Sequence, residues 1–463
     1  MRFSRVIGLA SIIGLALLGI VGVSPASAAN KTIHCGNTIS GNVTANNSIG
    51  PCPGGDGLKI SAPGTVLNLN GHSIQCSNFN NHVKREQVGI HLIGASNVTV
   101  KNGTVYDCDA GVAIEGGSNN TVSGITAHDN VAHVLVSGPV NPDNPLTTPC
   151  NFGDGITTLD SSGNHITGNI TYRNGPFSGI SLVGASSSNN VTGNQSYEND
   201  VSNALPPPAA PDTSGPCGPF SATPQGQGRL HQDIGIRVEG PGATNNSITG
   251  NQANNNQLNG ISIHGYVCFV GITPPPGAPP VGTSNSGNQV VGNSVSGNGF
   301  SDNIDGIGIL SQGPLGTVTC GSDHNTIVGN ISSGNARDGI FVAATGDNSK
   351  PSSNTINANL TDGNGRDGVH LASPFTVCPI GQGNSTPPNF CNVPREPRNG
   401  ANNNTLISNN GHNNGGAIAL PAHGHDGYDG NPACDNNNWV ANIFGTVNQA
   451  CVAANGGTGA VIP

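Results

Sequence analysis

Residues 165–194 read "HITGNITYRNGPFSGISLVGASSSNNVTGN". The piece "HITGN" (165–169) returns as "NVTGN" (190–194), with "GISLVG" at Gly179 between them. Each apolar stretch alternates with polar residues for a few positions and then stops at Gly or Asn. That is strand period, and none of the stretches has helix length. A unit this small cannot bury its apolar face alone, so it must stack on copies of itself.

The copies run outward in both directions. "G-[IV]-x-[VLI]" recurs as "GIHLIG" at Gly89, "GVAIEG" at Gly111, "GITTLD" at Gly155, "GIRVEG" at Gly235 and "GISIHG" at Gly260. "GIGILS" at Gly306, "GIFVAA" at Gly339 and "GVHLAS" at Gly368 continue the series. "GLKISA" at Gly57 opens it, and "GGAIAL" near Gly416 is read as closing it. The shortest spacings are 22 to 25 residues, and longer ones carry Pro-rich or Cys-bearing inserts. Between His133 and Gly155 the register stays open. The second element recurs as "SITGN" (247–251), "QVVGN" (289–293), "TIVGN" (326–330) and "TINAN" (355–359). Three short strands per unit predict an all-β chain folded as a parallel solenoid.

In these motifs the chain resembles the right-handed parallel β-helix proteins, the pectate-lyase-like superfamily, over almost all of residues 31–463. The resemblance implies a single-stranded helix of about 10–12 coils, each with faces PB1, PB2 and PB3. "G-I-x-V" matches PB1, the "N-x-[IV]-x" piece PB2, and the stretch after "GN" PB3. Asn169, Asn194, Asn251, Asn293, Asn330 and Asn359 then fall in the PB2–PB3 turn and stack as an internal ladder, each amide bonding the next coil. Residues 31–76 resemble the cap and first coils, and 434–463 the closing segment. The ends are stapled by Cys35–Cys52 and Cys434–Cys451. Cys76 and Cys108 each lie 19 residues after a PB1 Gly, so they sit on adjacent coils within disulfide reach. Cys378–Cys391 is the easiest pairing among the cysteines of the inserts.

Composition narrows the function. Met1–Ala28 has a basic start at Arg2 and Arg5, an apolar run from Val6 to Val23, and a small-residue site at Ala26-Ser27-Ala28, the pattern of a secretory signal peptide. The domain expected to fold is 29–463. No later stretch is apolar enough to span a membrane. The formal net charge of −10 argues against nucleic acid and anionic membranes. The 12 cysteines, with no C-x-x-C pair, suit disulfides in an exported chain better than a thiolate zinc site. Only 9% of residues are charged, which leaves a surface of Asn, Ser, Thr and Gly suited to hydroxyl-rich ligands.

Strand alternation sorts PB1. Val369 and Leu371 point in and His370 points out, as do Ser181, Arg237, Ser262 and Phe341 by phase. Two residues on, Glu115, Glu239, His264 and Leu310 share a second outward column. In the family, polysaccharide-active sites usually occupy this face, walled by loops, and the large inserts here mostly follow PB1. "ARDGIFV" (336–342) and "GRDGVHL" (365–371) place Arg337 with Arg366 and Asp338 with Asp367 at one phase, and Asp305 precedes Gly306 likewise. Asp before Gly is also ordinary turn chemistry. Read as chemistry, the cluster suits a uronate polysaccharide. An Arg or a bridging calcium at Asp305, Asp338 and Asp367 neutralises the carboxylate, and Arg366 or His370 takes the C5 proton. Candidate catalytic residues are therefore Arg366, His370, Asp367, Arg337 and Asp338, with Arg237, Glu239, His264 and Phe341 on the substrate. "HGHDGYDG", with His423, His425, Asp426, Tyr428 and Asp429, fails the calcium-loop pattern at Tyr428 and reads as a Gly-rich loop near the closing segment.

The family's sharper motifs are missing. "DPHE" and adjacent catalytic aspartates do not occur, and Arg395-Glu396-Pro397 completes only half of the pectate-lyase "R-x-P-x-x-R". Aromatic platforms on PB1 are few, with Phe341 the clear one. Two readings result: an exported lyase or epimerase of uronate polysaccharide, or a non-catalytic glycan-binding or structural cell-surface module.

Overall fold

The computed structural model describes residues 29–76, 87–130, 153–175, 178–199, 234–240, 242–265, 285–299, 305–312, 321–345, 352–372, 401–415, 424–434 and 436–462. The leader, Cys378–Cys391, His423, Arg395-Glu396-Pro397 and the open register before Gly155 all fall outside these residues.

Every described strand pairing is parallel, and 36 strands form one continuous sheet that winds into a β-helix. On PB1, twelve strands stack in sequence order, from Asn37–Thr38 to Gly427–Asp429. After Val369–Leu371 the next PB1 rung is "GYD" at 427–429, because Val369 pairs with Gly427 and His370 with Tyr428, while residues 416–420 of "GGAIAL" lie outside the described residues. The register otherwise follows the phase of the repeat: Ser181 lies beside Arg237, Arg237 beside Ser262, Gly308 beside Phe341, and Phe341 beside His370.

Local chemistry explains why each coil turns where it does. The Gly of "TGN" takes a left-handed φ, +64° at Gly193, and in "TINAN" Ala358 accepts the same conformation at +52°. The Asn that follows is then aimed inward. Asn194 donates to Asn251 Oδ1 (2.9 Å) and to the Ile166 carbonyl (2.9 Å), while its own Oδ1 accepts from the Asn169 amide and backbone N–H. The same pattern runs from Asn169 to Asn442. Two further ladders flank it. One passes from Asn120 through Asn189 to Asn437, the other from Asn130 through Asn256 to Asn414. At PB1 the leading Gly has a different cause: a Cβ on Gly339 would lie 2.6 Å from the Gly368 carbonyl oxygen of the next coil.

The core is a column of Ile, Val and Leu from all three faces, fully buried at Ile180, Ile236, Ile261, Ile307, Ile340 and Val369. The ends carry the expected disulfides Cys35–Cys52 and Cys434–Cys451, and Cys76–Cys108 bridges adjacent coils. Near the C-terminal end the buried Trp439 donates its indole N–H to Asp429 (2.9 Å). Three tyrosines gather on PB3, where Tyr106, His128, Tyr172 and Tyr197 stack at centroid spacings of 5.1, 4.8 and 5.4 Å.

The chain segments outside the described residues fall between PB3 and PB1 (131–152, 200–233) as well as between PB1 and PB2 (266–284, 373–400). Inserts therefore flank PB1 on both edges, not mainly after it. None separates PB2 from PB3.

Candidate functional site on PB1

Several polar side chains in the outward columns of PB1 are buried. Arg237 is 1% exposed and His370 3%. Buried polar groups must find partners, so the question is which ones do.

At the C-terminal end the partners come from the coil before. Arg337 grips Asp305 through Nε (2.7 Å) and a terminal nitrogen (2.6 Å), and the Asp338 N–H donates to the same carboxylate. Arg366 grips Asp338 in the same two-pronged way, and the Asp367 N–H joins it. The pattern breaks at the next coil, where Gly424 and His425 stand at the Arg and Asp positions. Their two backbone N–H groups donate to Asp367 Oδ1 (3.1 and 2.8 Å), and the His425 ring lies 3.7 Å away.

His370 occupies the gap this break creates. Its Nδ1 lies 2.9 Å from Asp367 Oδ2 and 3.4 Å from Asp338 Oδ2. The Phe341 ring meets it edge-on at 5.1 Å, the Tyr428 ring lies at 4.5 Å, and His425 stands 5.6 Å beyond Tyr428. Phe341 also carries the Arg337 guanidinium 4.5 Å from its centroid and that of Arg366 at 5.5 Å, so it stacks cations as well as facing the site. The structure thus brings Arg337, Asp338, Phe341, Arg366, Asp367 and His370 together.

The electrostatics assign roles. Burial disfavours a charged Arg366, but the Asp338 carboxylate outweighs it and holds the guanidinium above the ordinary arginine range. Arg366 is therefore held as a cation. Burial would raise Asp338, yet Arg366 and His370 hold it well below the usual carboxylate range. Burial pushes the Tyr428 phenol up, so it keeps its proton. Burial opposes a charged His425, but its contact with Asp367 raises it.

Asp338, Asp367 and His370 are the described residues whose ligand atoms all lie within 4.8 Å of one another. Asp305 is not of this group. One imidazole and two carboxylates already engaged by a guanidinium and two amides do not match calcium, which takes about six to eight oxygens.

Arg237, Glu239 and His264 form a second cluster several coils away. Arg237 donates to Glu239 at 2.6 Å, and Glu239 lies in register with His264. Asp154, fully buried, approaches Arg237 at 3.7 Å, and burial pushes its carboxyl up to about 7, only partly offset by that guanidinium. A third cluster lies near the N-terminal end, where His91 bridges Asp56 (3.1 Å) and Glu115 (3.2 Å). Burial opposes its charge, but the two carboxylates raise it to about 9.

Sequence reading missed Asp56, Asp154, His425 and Tyr428 as members of these clusters. The first two had a visible signal, since "GDGLKI" and "GDGITT" repeat the Asp-Gly that opens PB1 at Asp305. The last two were hidden because "HGHDGYDG" lacks the usual apolar PB1 residues.

No curated protein sequence matches the chain. Among solved structures it is similar to a variant of the periplasmic alginate epimerase AlgG, with 12% identity over 85% of this chain and 71% of that one, at a TM-score of 0.47. It is also similar to the A-module of an Azotobacter vinelandii mannuronan C-5 epimerase, with 13% identity, coverage of 81% and 84%, and a TM-score of 0.39. The catalytic domain of an α-1,3-glucanase aligns at 16% identity, covering 82% and 60%, with a TM-score of 0.39. The family described as the right handed beta helix region matches residues 33–269. That match takes in half of the chain, and with the stacked parallel coils it makes this protein a member of the right-handed β-helix family.

Proposed function

We propose that this is an exported polysaccharide-acting β-helix whose PB1 face, at His370, carries out acid–base chemistry on a uronate sugar. The observation that carries the reading is the placement of His370. His370 Nδ1 lies 2.9 Å from Asp367 Oδ2, and the tautomer with its proton on that nitrogen, facing the carboxylate, has Nε2 as the basic atom, the arrangement by which a carboxylate orients a histidine base. Nε2 takes the C5 proton. The charge that develops on the sugar carboxylate is met by the fixed cation Arg366 beside it. Tyr428, held protonated, returns a proton from its side of the ring, giving the C5 epimer. Loss of the C4 oxygen substituent instead leaves a C4–C5 double bond and a cut chain. Export is supported by the leader-like start and by three disulfides, which persist in oxidising compartments.

One observation favours a second reading. Both Arg forks already hold carboxylates of the protein, which is how a non-catalytic glycan-binding or structural module would stabilise its face. Proton NMR of alginate and pectate oligomers incubated with the protein in deuterium oxide separates the two. Deuterium at C5 or unsaturated ends, lost in His370→Ala and reduced in Tyr428→Phe, supports the enzyme. An unchanged spectrum across the uronate panel sinks it and leaves the module.

A further inference from the structure

The cluster around Arg237 lies on the same face as the one at His370. His264 has no hydrogen-bond partner on either ring nitrogen among the described residues, and neither does the Ser262 hydroxyl. Both are at least nine-tenths buried. Each sits on the strand next to Arg237 and Glu239, Ser262 in register with the first and His264 with the second. Asp154 adds two carboxyl oxygens that lack bonds of good geometry. Native proteins pair more than about 90% of buried polar groups, so donors and acceptors left over in one place mark where something polar sits.

The chemistry of that something follows from the charges. Arg237 is neutralised by Glu239 at 2.6 Å and faces Asp154 at 3.7 Å, so the cluster holds no surplus positive charge for a second carboxylate. Burial keeps His264 neutral, with one nitrogen to donate and one to accept. Together with a hydroxyl and a carboxyl, these groups complement adjacent hydroxyls that both donate and accept.

We infer that Asp154, Arg237, Glu239, Ser262 and His264 form a binding subsite for an uncharged sugar. Three strand steps of about 4.8 Å separate the Ser262 strand from the His370 strand along the same face. If the reading of His370 holds, one chain lying along PB1 places a neutral sugar here and a uronate there. The substrate class is then a heteropolysaccharide containing both, not a pure uronate polymer.

The test is calorimetric titration of the full mature chain with neutral gluco-, manno- and galacto-oligosaccharides, alongside Ser262→Val, His264→Ala and, as a control on PB3, Arg173→Ala. At least one neutral series should bind, weakened 10-fold or more by Ser262→Val and His264→Ala and unchanged by Arg173→Ala. Thermal melting of each variant shows that the coils remain folded, and Ser262→Val, nearly isosteric, keeps the test decisive if His264→Ala does not fold. Absence of neutral-sugar binding, or binding that neither variant weakens, overturns the subsite and means that ordered water alone fills it. Loss of C5 exchange with neutral-sugar binding intact would fault the His370 reading and leave this one standing.

Discussion

The Asn corners and the outer side of PB1 use one device, a polar side chain repeated at the same position of successive coils. At the corners the repeated residue is both donor and acceptor. Each amide satisfies its neighbour, and the ladder can run without interruption from Asn169 to Asn442. On PB1 the repeated residues are Asp and Arg, and neither can pair with a copy of itself. Each Arg must reach back one coil, as Arg337 does to Asp305 and Arg366 to Asp338. A ladder of complementary charges therefore has ends, and at the end His370 meets a carboxylate that no Arg follows. Self-complementary repeats build scaffold, whereas repeats that need a partner leave a place where chemistry can start.

The largest effect should come from breaking the charged ladder on one side only. Asp338→Leu removes the two-pronged partner of the buried Arg366 guanidinium, leaving Asp367 at 3.5 Å as its nearest carboxylate, and should cost about 3 kcal/mol in denaturant unfolding. Adding Arg366→Met should recover most of that loss. If the double variant is no better than the single, the pair is not the unit described. Next, Asn293→Leu removes the acceptor of the Asn251 backbone N–H, one of two acceptors of the Asn251 side-chain amide and the amide that serves the Ile248 carbonyl, and should cost about 3 kcal/mol. No apolar second substitution on one neighbour should rescue it, since every rung has two.

A smaller effect lies in pH. His91, raised to about 9 from 6.5 by Asp56 and Glu115, stabilises the fold fully below about 6.5. That contribution, on the order of 2 kcal/mol, is lost as pH rises through about 9. Thermal unfolding between these values should show the decline, and His91→Gln should flatten it. A wild-type slope that survives the substitution would assign it to another group. The smallest effect belongs to the exposed ladder on PB3. Arg173 pairs with Asp129 at 2.8 Å but is 48% exposed, so Arg173→Ala should change stability by no more than ~0.5 kcal/mol.

How much of this was legible in the sequence follows the same division. "T-G-N" and "G-I-x-V" announce a β-helix because turn chemistry and alternation are local properties. Even so, one Asn ladder was read where three exist, although Asn164, Asn169 and Asn174 already stand five residues apart. The Arg–Asp cluster was found by phase, but the direction in which each Arg reaches was not, since it depends on which neighbouring coil offers a carboxylate. Tyr428 was missed for another reason. The residues from 373 to 400 shift the spacing, and the last PB1 rung carries Gly427 and Asp429 where the rung before it carries Val369 and Leu371.

The central claim is that the broken end of the charged ladder, not the scaffold, meets a glycan. Histidine and asparagine side-chain NMR signals, followed while uronate oligosaccharides are added, test this most directly. The account predicts that the imidazole signals of His370 and His425 move while the amides of Asn194, Asn251 and Asn293 stay fixed. Shifts confined to PB2 or PB3, or no shift at either histidine, would contradict it.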